Sequence, residues 1–277
     1  MSLPVHRLRA LLGWMNEDEA TLALAGRQKD EASSPEHVEW ARKKRLVAAA
    51  RGSSTSRLDI LKSLPRSLER YGAVLVRTRE GGDLAAAGFQ PALVDLRGVC
   101  AMAPLARVDL DLPDVDAEDL VELARITLRL AADAPADADY DRETRAWIID
   151  DPGLEVIGEF DRPGAGEFVV GLVVGRRPSF VQVVKAGDRF VLTDGYDRAI
   201  TLLARGIHEV PAFVKAYGAT KDIEFGPAHL ERGIVFGRRP PLLPDFLDDD
   251  VSAEVRVPAI KRLLMVRAVE IEHHATA

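Results

Sequence analysis

The stretch PSFVQVVKAGDRFVLTDGYDRAITLLARGIHEVPAFV, residues 178–214, constrains the fold more than any other part of the chain. Its β-branched runs at 180–184 and 189–193 predict two strands joined through the turn Ala186-Gly187-Asp188. Asp194-Gly195 then turns the chain abruptly into a helix opening at Tyr196. Ile200, Leu202 and Leu203 supply its apolar positions, Gly206 closes it, and a new strand starts at Val210. A helix that begins directly off a strand end presents free amides and the positive end of its dipole at the rim of the sheet. Phosphate binds readily at such a place. Arg198, in the first turn, is spaced to add a bidentate contact to the same anion.

The carboxylates of this turn argue the other way. Asp197 beside a phosphate costs on the order of 1 kcal/mol of attraction. With Asp194 as cap and Asp197 at the third helical position, the pair comes close to a capping box that satisfies the helix's own amides. Two readings therefore stand side by side, an anion-binding turn and a self-capped helix.

Strand, DGYDRA, helix, Gly and the return VPAFV together resemble the core of the ParB/sulfiredoxin superfamily. In that family the equivalent turn reads G-E-R-R in partition ParB proteins, G-C-H-R in sulfiredoxins and D-G-H-H-R in free-serine kinases, and it holds a nucleotide's phosphates. Asp194, Gly195 and Arg198 match the kinase-like form, Ala199 continues it, and Gly206 to Val214 matches the return. The likeness covers roughly 40–60 residues, less than a domain's usual ~100. It implies an α/β (α+β), ParB/sulfiredoxin-like C-terminal domain binding a nucleotide or small phosphate ligand, with ATP or CTP and Mg²⁺ as cofactors. It also implies phosphotransferase chemistry, in which positioning and charge stabilisation do most of the work. Asp194 and Asp197 would then be catalytic, coordinating Mg²⁺ or orienting an acceptor hydroxyl, while Gly195, Tyr196 and Arg198 contact the nucleotide. The rival reading is a non-catalytic interaction or scaffold module that keeps the motif as a helix cap.

Two departures narrow these implications. The sulfiredoxin nucleophile is a cysteine where this chain has Tyr196, and the one cysteine, Cys100, lies far away in sequence, so sulfinic-acid reduction is not expected. The family's His or Arg before the motif arginine is Asp197 here. A partition role would need a helix-turn-helix unit after the core, and GPAHLERGIVFGRRPPLLPDFLDDD is too broken by Pro and Gly to supply it.

A short repeat offers more cations. VVGRRPSF (173–180) and VFGRRPPL (235–242) each follow a strand end with Gly-Arg-Arg-Pro. Read as an anion site, the two loops aim Arg176, Arg177, Arg238 and Arg239 at one phosphate, with Arg176 and Arg177 joining the turn. Read as punctuation, they are solvated exits from strands.

Composition sets the outer bounds. A net charge of −7 over 277 residues argues against an electrostatic nucleic-acid binder. The basic cluster Arg42 to Arg45 shares its helix with Glu36 and Glu39 and is expected to be a solvated face. No apolar run approaches the ~20 residues of a membrane helix, and MSLPVHRLRALLGW lacks a secretory pattern. A cytoplasmic protein without a membrane or nucleic-acid partner is expected. A Walker sequence, a dinucleotide fingerprint and metal-ligand histidine spacing are all missing from the sequence.

The remaining elements are expected as follows. Helices are predicted from Ser34 to about Arg51, from Ser56 through Leu58, Leu61, Leu64 and Leu68, from Asp116 to Ala132, and from Ala259 to Glu272. Strands are predicted at 72–79 and 91–99 about the turn EGGD, and at 168–175 and 210–217. The aperiodic AADAPADADYD (131–141) reads as an exposed linker within an acidic stretch. It divides a helix-rich N-terminal region, 1–135, open to a protein partner, from the domain at 140–277.

Overall fold

The computed structural model describes residues 5–25, 35–50, 59–128, 138–149, 154–163, 168–176, 180–258 and 264–267. In chain order the first elements are β1 (Val5–Ala10), α1 (Glu17–Ala25), α2 (Pro35–Ala49), β2 (Leu61–Lys62), α3 (Arg66–Leu75) and α4 (Arg79–Ala86). Then come β3 (Gln90–Asp95), β4 (Val99–Ala101), β5 (Leu105–Arg107), α5 (Leu120–Thr127), β6 (Ala138–Asp141) and β7 (Ala146–Ile149). The chain continues through β8 (Leu154–Pro163), β9 (Phe168–Arg176), β10 (Gln182–Ala186), β11 (Arg189–Asp194) and α6 (Tyr196–Ala204). It ends with β12 (Glu209–Tyr217), α7 (Arg232–Val235), β13 (Ala253–Pro258) and β14 (Leu264–Arg267). Helices and mixed sheets together make this an α+β protein. Among the described residues, no helix is long and apolar enough to cross a membrane.

Contacts divide the chain into two units. One comprises Met1–Leu130 with Ser179–Pro258, the other Ala131–Pro178 with Ala259–Ala277. The division expected near 135–140 is not the one drawn. In the first unit, β3 and β4 from the expected N-terminal region share a six-stranded sheet with β10, β11 and β12, in the order β2-β3-β12-β10-β11-β4. A sheet needs its strands adjacent in space, whatever their separation along the chain, and sequence alone does not reveal that pairing.

Within that sheet β10 and β11 form an antiparallel hairpin, β12 runs parallel to β10, and β4 runs parallel to β11. The central strands are buried on both faces, as Val183, Val184, Val191, Leu192, Ala212 and Phe213 show. A smaller sheet of the same unit, β13-β1-β5, pairs the two ends of the unit antiparallel. The second unit holds the sheet β14-β7-β6 and the separate ribbon β8-β9.

Three expectations fail here for identifiable reasons. Of the apolar run at 72–79, residues 72–75 end α3 and Arg79 opens α4, because Leu68, Gly72 and Leu75 lie on one buried helical face and override the β-propensity of the valines. Of the leucine series begun at Ser56, residues 56–58 lie outside the described residues, Leu61 falls in β2, and the series breaks at Pro65, which stands at the N-cap of α3 and cannot lie inside a helix. EGGD is helical in α4, whose Thr78 hydroxyl caps the Gly81 amide at 3.2 Å.

The ends differ as well. Residues 264–267, expected in a helix, form β14 paired with β7, and 259–263 and 268–277 lie outside the described residues. Of the expected linker, 138–141 is β6, and 131–137 lies outside the described residues. Nor is the basic cluster wholly solvated. Lys43 is buried, and its ammonium donates to the Asp249 and Ser252 carbonyls, the latter at 2.9 Å. Arg9 meets the Asp249 carboxylate at 2.6 Å, and Arg42 comes within 3.7 Å of the Asp250 carboxylate.

Candidate functional site

The hairpin delivers its end with an irregularity. Gln182 pairs with Asp194 while Val183 pairs with Leu192, so Thr193 is an extra residue in β11. Such a bulge re-aims the strand end. Here it brings the Asp194 carboxylate to the Gln182 amide at 3.2 Å, while its other oxygen accepts from the Gly195 amide at 2.7 Å. Burial is the main influence on this carboxyl and raises its pKa, against the partial opposition of those hydrogen bonds and the Arg198 charge.

Gly195 makes the turn from strand to helix. Its φ of +81° is a left-handed conformation, and a Cβ there would lie 2.7 Å from the Val181 Cα and 2.8 Å from the Phe180 carbonyl oxygen. Gly195, not Asp194, is the N-cap of α6, and no side chain caps the helix. The expected capping box is thus not formed. Asp194 sits one residue too early, and Asp197 instead accepts the Arg107 amide at 2.9 Å.

Asp197 is one of a series. The Tyr196 hydroxyl accepts from the Met102 and Ala103 amides at 2.7 and 3.0 Å and donates to the Leu192 carbonyl at 2.6 Å. Thr201 accepts from the Leu110 amide at 3.3 Å, and the Arg205 guanidinium donates to the Leu112 and Pro113 carbonyls at 3.0 and 2.9 Å. Segment 102–113 is therefore laced along α6 from its first turn to its last. Burial raises the pKa of the Tyr196 phenol, which stays neutral and fully engaged.

A cavity of about 380 Å³ opens against this turn, lined by Leu110 and by Asp194, Gly195, Tyr196, Asp197 and Arg198. Five consecutive motif residues thus share one concavity. Leu110 is the wall that sequence reasoning did not find, because nothing in its local pattern links it to a turn over eighty residues away. The structured acceptors on α6 were equally hidden, since an Asp or Tyr in a ligand motif and one in a backbone staple look the same in sequence.

The arginines of the repeat are divided between the two units. Arg176 ends β9 in the second unit, Arg177 lies outside the described residues, and Arg239 is committed to the Asp245 carboxylate at 2.8 Å and to the Trp14 ring at 5.1 Å. Among the described residues, no group of three or more His, Cys, Asp or Glu is arranged to hold a metal. Burial pushes the Cys100 thiol up to about 11.

The raised Asp194 value has a measurable consequence. A carboxyl that is harder to ionise in the folded state costs stability as pH rises from its ordinary value, about 3.9, through the raised one. Asp194→Asn removes that cost and keeps an oxygen for the Gly195 amide. The melting temperature of the variant relative to the unaltered protein should therefore climb from about pH 4 upward and then level off. A difference that stays constant with pH would mean that Asp194 ionises as readily in the folded chain as in the unfolded one.

Comparison with family models, curated proteins and solved structures returns no significant match to this chain.

Proposed function

We propose that the Asp194–Arg198 turn belongs to a ParB/sulfiredoxin-like core and binds the phosphates of a nucleotide, with phosphotransfer as the associated activity. The observation that carries the reading is the concavity of about 380 Å³ lined by all five motif residues at a helix start that no side chain caps. Backbone amides at such a start and the positive end of the dipole favour an anion. Arg198 adds the cation that holds it in place. The two carboxylates are offset when the nucleotide brings Mg²⁺, for which ATP and CTP are the ligands to try. Asp194 or Asp197 would then hold the ion or orient an acceptor hydroxyl.

Calorimetric titration with ATP and with CTP, each with Mg²⁺, tests this. Arg198→Ala is expected to weaken binding about tenfold to hundredfold, the worth of a charge-assisted contact of roughly 1.5–3 kcal/mol. Absence of heat from both nucleotides would overturn the reading.

A second reading has its own support. Tyr196, Asp197 and Thr201 all spend side-chain oxygens on segment 102–110, which is what a motif kept for folding would do. On this reading the protein is a non-catalytic interaction module. Arg198→Ala and both nucleotides then leave the melting temperature unchanged, whereas a nucleotide at 100 times its dissociation constant would add about 2.7 kcal/mol.

A further inference from the structure

The β8-β9 ribbon has two strands of ten and nine residues, with no third strand paired to it among the described residues. Leu172 and Val173 are neighbours on β9, so their side chains point to opposite faces, yet they are 43% and 42% exposed. Val156 on β8 is 43% exposed as well. Both faces of the ribbon thus present apolar groups to water, and a lone two-stranded ribbon is marginal in water at best.

The two outer edges differ in charge. β8 carries Glu155, Glu159, Asp161 and Arg162, the kind of residues that discourage edge pairing, whereas β9 has no charge from Phe168 to Gly175. Two copies of β8 related by a twofold axis at its central Gly158 would set Glu155 against Asp161, like charge against like. Two copies of β9 meet no such conflict. Centred on Leu172, the midpoint of the strand, antiparallel pairing sets Val170 opposite Val174, Gly171 opposite Val173 and Leu172 opposite its own copy. The Arg176 residues fall at opposite ends of the shared ladder, each opposite a Phe168.

We infer that β9 is a self-pairing edge, and that two copies of this chain join there in the strand order β8-β9-β9-β8 about a twofold axis at Leu172. The occupant is a second copy because the row is uncharged and self-complementary, and a closed twofold pairing leaves outward only the charged β8 edges. This inference is independent of the nucleotide reading, whose residues all lie in the other unit.

The full chain should sediment as a dimer, and Leu172→Lys should return it to a monomer with an unchanged circular dichroism spectrum. Residues facing each other across an antiparallel pair lie about 4.5–5.5 Å apart at Cα, within the reach of a disulfide. Leu172→Cys should therefore form a covalent dimer on mild oxidation. Glu159→Cys, opposite Leu172 but one strand farther out, should not. A monomeric parent protein overturns the inference, and so does a dimer that persists in folded Leu172→Lys. Should Leu172→Lys fail to fold, cross-linking decides, and a Leu172→Cys chain that stays uncoupled, or couples no faster than Glu159→Cys, overturns it.

Discussion

Gly195→Ala is expected to destabilise the protein by about 2–5 kcal/mol, combining the penalty of a left-handed alanine with overpacking against backbone. The added methyl would stand 2.7 Å from one backbone atom, the Val181 Cα, and 2.8 Å from another, the Phe180 oxygen, and neither can swing aside as a flexible side chain could. For a chain of this size the loss corresponds to roughly 5–20 °C in melting temperature. Gly206 provides the internal control. It also has a φ of +81°, but a Cβ there meets nothing within 4 Å, so Gly206→Ala should cost only the backbone part, about 1 kcal/mol. Equal losses at the two glycines in thermal unfolding would show that the tight approach of the Phe180-Val181 backbone to the turn adds nothing.

Tyr196→Phe should be the next most damaging change, because one oxygen serves three backbone groups. Its removal leaves the Met102 and Ala103 amides without their acceptor and the Leu192 carbonyl without its donor. An orphaned buried polar group costs about 1–3 kcal/mol, so a loss of roughly 2–4 kcal/mol is expected for the set. The damage should be local as well as global. Hydrogen exchange should quicken at Met102 and Ala103 and at the first turn of α6, while β12 keeps its protection. Unchanged exchange at 102–103 would mean that the hydroxyl does not hold segment 102–113 to the helix. Tyr196 matches a ligand-binding position in the motif, yet its hydroxyl is spent on holding that segment in place.

Most of the local grammar of residues 180–217 is legible in the sequence. Strand at 189–193, helix from Tyr196 and strand from 210 are all present, and β11 and β12 share one sheet. Those elements announce themselves because turn chemistry and periodicity act within a few residues. An Asp-Gly after a β-branched run can only turn, and Ile200, Leu202 and Leu203 repeat at a helical interval. The position of the candidate site was legible for the same reason, since all of its motif residues are contiguous.

Elsewhere local preference was overruled. Valines at 74 and 76 favour a strand, but burial of Leu68 and Leu75 on one face of α3 decides for a helix. Residues 264–267 suit a helix by themselves and become a strand because β7 offers a ladder. The capping box failed by one residue, once Gly195 took the cap and the Arg107 amide took Asp197.

The sequence by itself determined the strand–turn–helix–strand unit, the glycine at its corner and the contiguous residues of the turn, all through short-range sterics and hydrogen bonding. Only the tertiary structure decided what those residues face. It placed β3 and β4 in the same sheet as β10 to β12, set Leu110 across the cavity, and gave the oxygens of Tyr196 and Asp197 to amides about ninety positions earlier in the chain. Such contacts follow from which surfaces must be buried together, a property of the whole chain that no window of sequence contains.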